Sequence, residues 1–164
     1  MLLATLIPVS AEPNPPGVPG VDGLPGTDHI GHLLWETSAR VVLLAEPVLA
    51  DIQLSLASMG ALERIAAYPG ITASELARQA FKTQQAVSQV TSRLERLGYV
   101  ERRLGPGRGV GLHMTKLGRA AFADGSAREA EIDARLQEML GVQDAEQLRA
   151  LLQRLRAALV PVTD

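Results

Sequence analysis

The chain has 164 residues, of which 46% are apolar but only 3% aromatic, and it contains no cysteine. Such a chain can build one domain of ordinary size around Leu, Val, Ile and Ala, and it excludes disulfides, thiol catalysis and cysteine-based redox sensing. A net charge of −2 excludes indiscriminate coating of nucleic acid, yet residues 78–119 hold nine Lys/Arg against two Asp/Glu, a local basic field between acidic flanks.

Residues 1–27 stand apart. Asn14-Pro15-Pro16-Gly17, Pro19-Gly20 and Pro25-Gly26 preclude a helix or a paired strand, so this stretch is expected to be a disordered tail. Met1 to Pro8 is apolar but lacks the positive residues that open a secretory signal. No run approaches the roughly 18 apolar residues that cross a bilayer, so no membrane association is expected and the protein is expected in the cytoplasm.

The next segment, Asp28 to Glu46, predicts a helix. Ile30, Leu33, Leu34, Thr37, Val41, Leu44 and Val48 recur at three- and four-residue steps, Asp28 is placed to cap it, and Pro47 should end or kink it. A second helix, Ala57 to Ala67, follows the cap Ser55 and stops at Tyr68-Pro69-Gly70. The third, Ala73 to Ala80, begins with a capping box of Thr72 and Glu75. Thr83 opens a fourth over Gln84 to Leu97, and Gly98 stops it. Strands Val100–Leu104 and Val110–Met114 flank a glycine-rich tip, 105–109, and predict a hairpin. Thr115 starts a long helix to about Leu140, broken near Gly141. Asp144 and Gln147 are expected to open a last helix with an apolar stripe of Leu148, Leu151, Leu152, Leu155 and Leu159.

The fourth helix carries the functional argument. Val87, Val90, Leu94 and Leu97 form an apolar stripe, and Gln85, Ser88, Gln89, Ser92 and Arg96 lie opposite, with Arg93 near the edge. A base-reading helix needs one face packed on its domain and the other polar and small enough for a major groove about 12 Å wide. Gln84, Gln85, Ser88, Gln89 and Ser92 meet that need, since Gln pairs with adenine and Ser both donates and accepts. Arg93 can reach a guanine or a phosphate. The helix N-terminus with Thr83 is a seat for a phosphate. The hairpin adds Arg102 and Arg103 on its arm and Arg108 at its tip, the last suited to a narrow minor groove. The bland alternative is a solvated surface, but exposed helix faces more commonly carry Glu and Lys than Gln and Ser.

Other chemistries fail on context. Gly105-x-Gly107-x-Gly109 is followed by no Gly-Lys-Ser/Thr and opens no helix, so it is not a nucleotide loop. His29 and His32 are one helical turn apart, but only His113 exists besides and no carboxylate cluster completes a coordination shell. No metal, cofactor or enzymatic activity is expected.

These residues resemble a family. "TQQAVSQVTSRLERLGYVERR", Thr83 to Arg103, and Tyr68 to Ala77 are similar to the recognition helix and preceding helix of the MarR-type winged helix-turn-helix regulators, and "LHMTKLGRAAF", Leu112 to Phe122, resembles the strand, cap and helix after their wing. The resemblance spans about Asp28 to Val160. It implies a mainly α fold with a small β-hairpin wing. It divides the chain into the tail 1–27, an N-terminal dimerisation helix 28–50, a DNA-binding lobe 51–115 and C-terminal dimerisation helices 116–164. It further implies a homodimeric repressor on a pseudo-palindromic operator in double-stranded DNA, released by a small, often aromatic effector. Trp35, Arg40, Leu44 and Met59 are then candidate walls of an effector cleft. Pro106 and Gly107 stand where family wings commonly carry an Asp, and Gln84 and Gln85 stand where basic residues are frequent. The competing reading is a winged-helix protein-interaction or dimerisation module without DNA binding.

Overall fold

The computed structural model describes residues 29–80, 83–104 and 109–159. Six helices and one hairpin follow in the order α1 (Ile30–Ala50), α2 (Leu56–Ala67), α3 (Ala73–Gln79), α4 (Gln84–Arg96), β1 (Val100–Leu104), β2 (Val110–Met114), α5 (Lys116–Leu140) and α6 (Val142–Ala158). The chain divides after Arg40 into two units. The first contributes the N-terminal half of α1. The tail, the Asp28 cap and Arg108 lie outside the described residues.

Within the second unit, Leu49, Leu54, Leu62, Ile65, Leu76, Leu94 and Leu112 are all at most 2% exposed and form one core with Met59, Ile71, Val87 and Val100. They come from the end of α1, from α2, α3, α4 and the hairpin, and from the connections at Leu54 and Ile71, so these parts fold around a single cluster. Burying a leucine contributes about 1.5–3 kcal/mol, which is what fixes the rotation of α4.

The helix starts are set by side-chain caps. Ser55, Thr72, Thr83 and Thr115 accept from the backbone N–H of Ser58, Glu75, Ala86 and Gly118. Glu75 returns the bond to Thr72 N–H, and the Thr72 backbone and hydroxyl bonds hold its carboxyl below the usual carboxylate value. At the end of α4, Gly98 adopts φ 70°. Its N–H reaches Glu95 O at 2.9 Å, and Tyr99 N–H reaches Leu94 O at 2.9 Å. This paired closure needs a left-handed residue, which glycine adopts without strain.

β1 and β2 are antiparallel, with Arg102 opposite Leu112 and Glu101 opposite His113. The hairpin is fastened by a feature that reads in the sequence only as a helix stop. Gly70 N–H donates to Leu112 O, and Leu112 N–H donates to Ile71 O, both at 2.9 Å. Thr115 completes the attachment by donating to Gly98 O at 2.6 Å while capping α5.

Two helix boundaries depart from expectation. α1 does not end at Pro47 but passes through it to Ala50. Proline removes one hydrogen bond there, while buried Ala45 and Leu49 and a bond from Arg128 to Val48 O at 3.0 Å hold the last turn. α6 opens at Val142 rather than at Asp144. Gly141, at φ 81°, ends α5 and starts α6 with no side-chain cap, and Asp144 falls in the first turn, where a carboxylate suits the helix dipole.

The apolar stripe of α6 stays largely uncovered: Leu148, Leu151, Leu152 and Leu159 are exposed, as are Met139 and Leu140 of α5. Leu33, Leu34 and Leu43 of α1 are exposed too. Among the described residues no helix is long and apolar enough to cross a membrane.

A Cβ on Gly118 would lie 1.9 Å from the Tyr99 carbonyl oxygen, and backbone on both sides leaves nothing to yield, so Gly118→Ala should lower stability by about 3 kcal/mol, read as a reduced urea midpoint at constant slope. Burial, with a smaller contribution from the nearby Glu63 carboxylate, raises the Glu129 carboxyl above its usual value. A raised carboxyl favours the folded state while protonated, and that contribution disappears as pH rises through the folded value. Glu129→Gln should therefore raise Tm at pH 7 and leave it unchanged below about pH 4.

Candidate nucleic-acid interface

The two sides of α4 separate as its sequence pattern requires. Val87, Thr91 and Leu94 are buried, and Gln84, Gln85, Ser88, Gln89, Ser92 and Arg96 are exposed. Thr91, not among the apolar positions read from the sequence, is fully buried and donates its hydroxyl proton to Ser88 O at 3.2 Å. That bond satisfies the hydroxyl inside the core. The outward face presents amides and hydroxyls along most of its length and one charge, Arg96, at its C-terminal end, so its main capacity is hydrogen-bond readout rather than bulk attraction.

At the N-terminal end, Thr83 is exposed and its oxygen is occupied by Ala86 N–H at 3.2 Å. The N-terminus of α4 carries partial positive charge, which suits an anion. Gln84 Nε2 lies 3.5 Å from Ser74 Oγ, which places the start of the reading face beside α3.

The wing arginines are held by carboxylates. Arg102 Nε donates to Glu95 Oε1 on α4, and Arg103 donates to the neighbouring Glu101. Sequence reading named the arginines and missed both partners. Glu95 and Arg102 are seven residues apart and belong to different elements, so only the packing of β1 on α4 brings them together. Exposed pairs of this kind are worth about 0–1 kcal/mol. They orient the guanidinium groups on the wing.

Arg93 is exposed at the edge of that face. Its Nη2 donates to Gln53 O at 3.2 Å, forty residues away. The other candidates are placed as follows. Trp35 is 70% exposed, its ring centroid 6.0 Å from that of His32. Arg40 is exposed and bonded to Glu36 at 2.6 Å, a contact that lowers the Glu36 carboxyl. Leu44 is half-buried. Met59 is buried in the core, where a Cβ on Gly125 would strike its sulfur. Among the described residues, no three His, Asp or Glu side chains are grouped to hold a metal ion.

If the outward face of α4 reads bases and the wing holds phosphates, the two must respond differently. Arg102→Ala should weaken binding equally for all duplexes and reduce the slope of log K against log salt by about one. Gln89→Ala should leave that slope unchanged and alter the preferred base at one position by about 1–3 kcal/mol. Competition gel shifts across a salt series check both.

Comparison with known proteins converges on this arrangement. Residues 52–109 match the family model described as the MarR family. The HTH-type transcriptional repressor Rv2887 of Mycobacterium tuberculosis is 29% identical over 128 residues, covering 77% of this chain and 92% of that protein. The crystal structure of Rv2887 in complex with DNA superimposes with a TM-score of 0.68 at 28% identity, over 77% of this chain and 96% of that one. Its complex with salicylic acid gives 0.66 at 29% identity, over 77% and 95%.

Proposed function

We propose, because this chain belongs to the MarR family, that it is a homodimeric transcriptional repressor that binds double-stranded DNA at a pseudo-palindromic operator and is released by a small aromatic acid. The observation that carries the reading is the outward Gln/Ser face of α4 set beside the arginine-bearing wing on one rigid core. A winged helix used only for protein interaction has no need for a small, uncharged polar face beside a cationic ribbon.

The dimer follows from the uncovered apolar surface. The exposed leucines of α6, and separately those of α1, are too many for a soluble monomer and are the kind of surface that a two-fold partner covers. Two copies related in that way present two α4 helices to one face of a duplex, and half-sites then lie about 34 Å apart. The domain roles follow: α1, α5 and α6 associate, and residues 51–115 read DNA. The site of action is the cytoplasm.

The effector reading draws on the relative that binds salicylic acid. Trp35 and Arg40, both exposed on α1, supply an aromatic surface and a cation suited to an aromatic carboxylate. Met59, expected as a cleft wall, is buried in the core and is not available to an effector.

Selection of bound sites from a random duplex pool should return inverted repeats with half-sites one helical turn apart, and size-exclusion chromatography should show a dimer at micromolar concentration. A monomer that retains no duplex at low salt would overturn the proposal. Salicylate should quench the emission of Trp35, the sole tryptophan, raise Tm and dissociate the DNA complex; unchanged emission and Tm at millimolar salicylate would remove the effector from it.

A further inference from the structure

The turn that joins α1 to α2 is gripped by side chains from two helices that barely touch each other. α4 and α5 both pack on α2, and direct contact between them is slight. Arg93, from α4, donates to Gln53 O at 3.2 Å. Arg128, from α5, donates to Val48 O at 3.0 Å and lies 3.7 Å from the Asp51 carboxylate. Helix C-termini carry partial negative charge on carbonyls that have no partner within the helix, and guanidinium groups satisfy them well.

The gripped turn has a defined and strained geometry. Gln53 N–H bonds to Ala50 O at 2.9 Å and Leu54 N–H to Leu49 O at 3.0 Å. This is the same paired closure seen at Gly98, but the left-handed position holds Gln53, at φ 59°, the one non-glycine residue with positive φ among the described residues. An L-residue is disfavoured in that region and persists when its surroundings over-determine it. The arginine on its carbonyl is one such determinant. Glu46 is another, since its Oε1 accepts from Leu56 N–H at 3.1 Å across the same turn.

We propose that Arg93 is a positioning residue rather than a DNA contact, and that Arg93 and Arg128 together make the Ala50–Leu54 turn the element that fixes the reading helix α4 relative to the long helix α5. Apolar packing on α2 sets how far apart the helices lie but resists sliding and rotation weakly. The two guanidinium bonds are directional and remove that freedom. A dimer held through α5 then transmits the spacing of its two-fold axis to the reading helices through this turn. The inference rests on the proposal that α4 reads DNA.

The test is fluorescence-anisotropy titration of the full-length protein with its selected duplex across a potassium chloride series. Arg93→Ala should weaken binding about tenfold, the scale of one lost charged hydrogen bond, with the wild-type salt slope. Arg128→Ala, on another helix, should do the same, and the double variant should be no weaker than either single one, because either loss frees the turn. In a Gln53→Gly background, where the left-handed turn is unstrained, Arg93→Ala should lose less than in the wild type. A salt slope reduced by about one in Arg93→Ala, with Arg128→Ala at wild-type affinity, would identify Arg93 as a phosphate contact and overturn the inference. Multiplying losses in the double variant would overturn it as well. If Arg93→Ala fails to fold, Arg128→Ala decides: reduced affinity at the wild-type slope supports the inference, and wild-type affinity ends it. Wild-type protein that binds no duplex instead defeats the DNA-reading proposal itself.

Discussion

Insertion of Val87, Thr91 and Leu94 into the core cluster is the interaction from which the rest of the structure follows. Those three side chains fix the rotation of α4 about its axis. With the rotation fixed, Gln85, Ser88, Gln89, Ser92 and Arg96 have no choice but to face solvent as one strip. The buried Thr91 is tolerated on that inward side because its hydroxyl is satisfied within the helix itself, at Ser88 O. A functional face is thus specified by the face opposite it.

The wing depends on the same cluster through Leu112. That residue is fully buried, pairs with Arg102 across the hairpin, and is bonded through its backbone to Gly70 and Ile71. A two-stranded hairpin alone is marginal in water. Here one strand is tied to the α2–α3 connection and the other is closed by Thr115 and the tight approach of Gly118 to Tyr99. The arginines of β1 are therefore carried on an anchored ribbon at a set distance from α4, and Glu95 links ribbon to helix.

Electrostatics refine this arrangement without creating it. The Arg102–Glu95 and Arg103–Glu101 pairs are exposed and individually weak, but they restrain flexible side chains that would otherwise lose entropy on meeting a phosphate. In the proposed function the labour of recognition is divided: short-range hydrogen bonding from the Gln/Ser strip of α4, and a screened, sequence-independent attraction from the cationic ribbon. With a net charge of −2, the remainder of the molecule contributes no general attraction to mask that division.

The sequence by itself determined every element. Apolar period, the Ser55, Thr72, Thr83 and Thr115 caps and the Gly98 stop are local signals, each acting within a few residues through backbone hydrogen bonds, and the helices and strands begin and end close to where they indicate. It also determined the outward face of α4, because amphipathic period and burial are the same information. Where two local signals competed it misjudged, as at Pro47, overridden by burial of Ala45 and Leu49, and at Asp144, pre-empted by the sharp Gly141 junction. Only the tertiary structure decided which side chains meet across elements. It assigned Arg93 to the Gln53 carbonyl, Arg102 to Glu95, Leu112 to the Gly70–Ile71 backbone and Met59 to the core. Those pairings depend on how helices stack in three dimensions, and residues forty positions apart leave no periodic trace of one another in the chain.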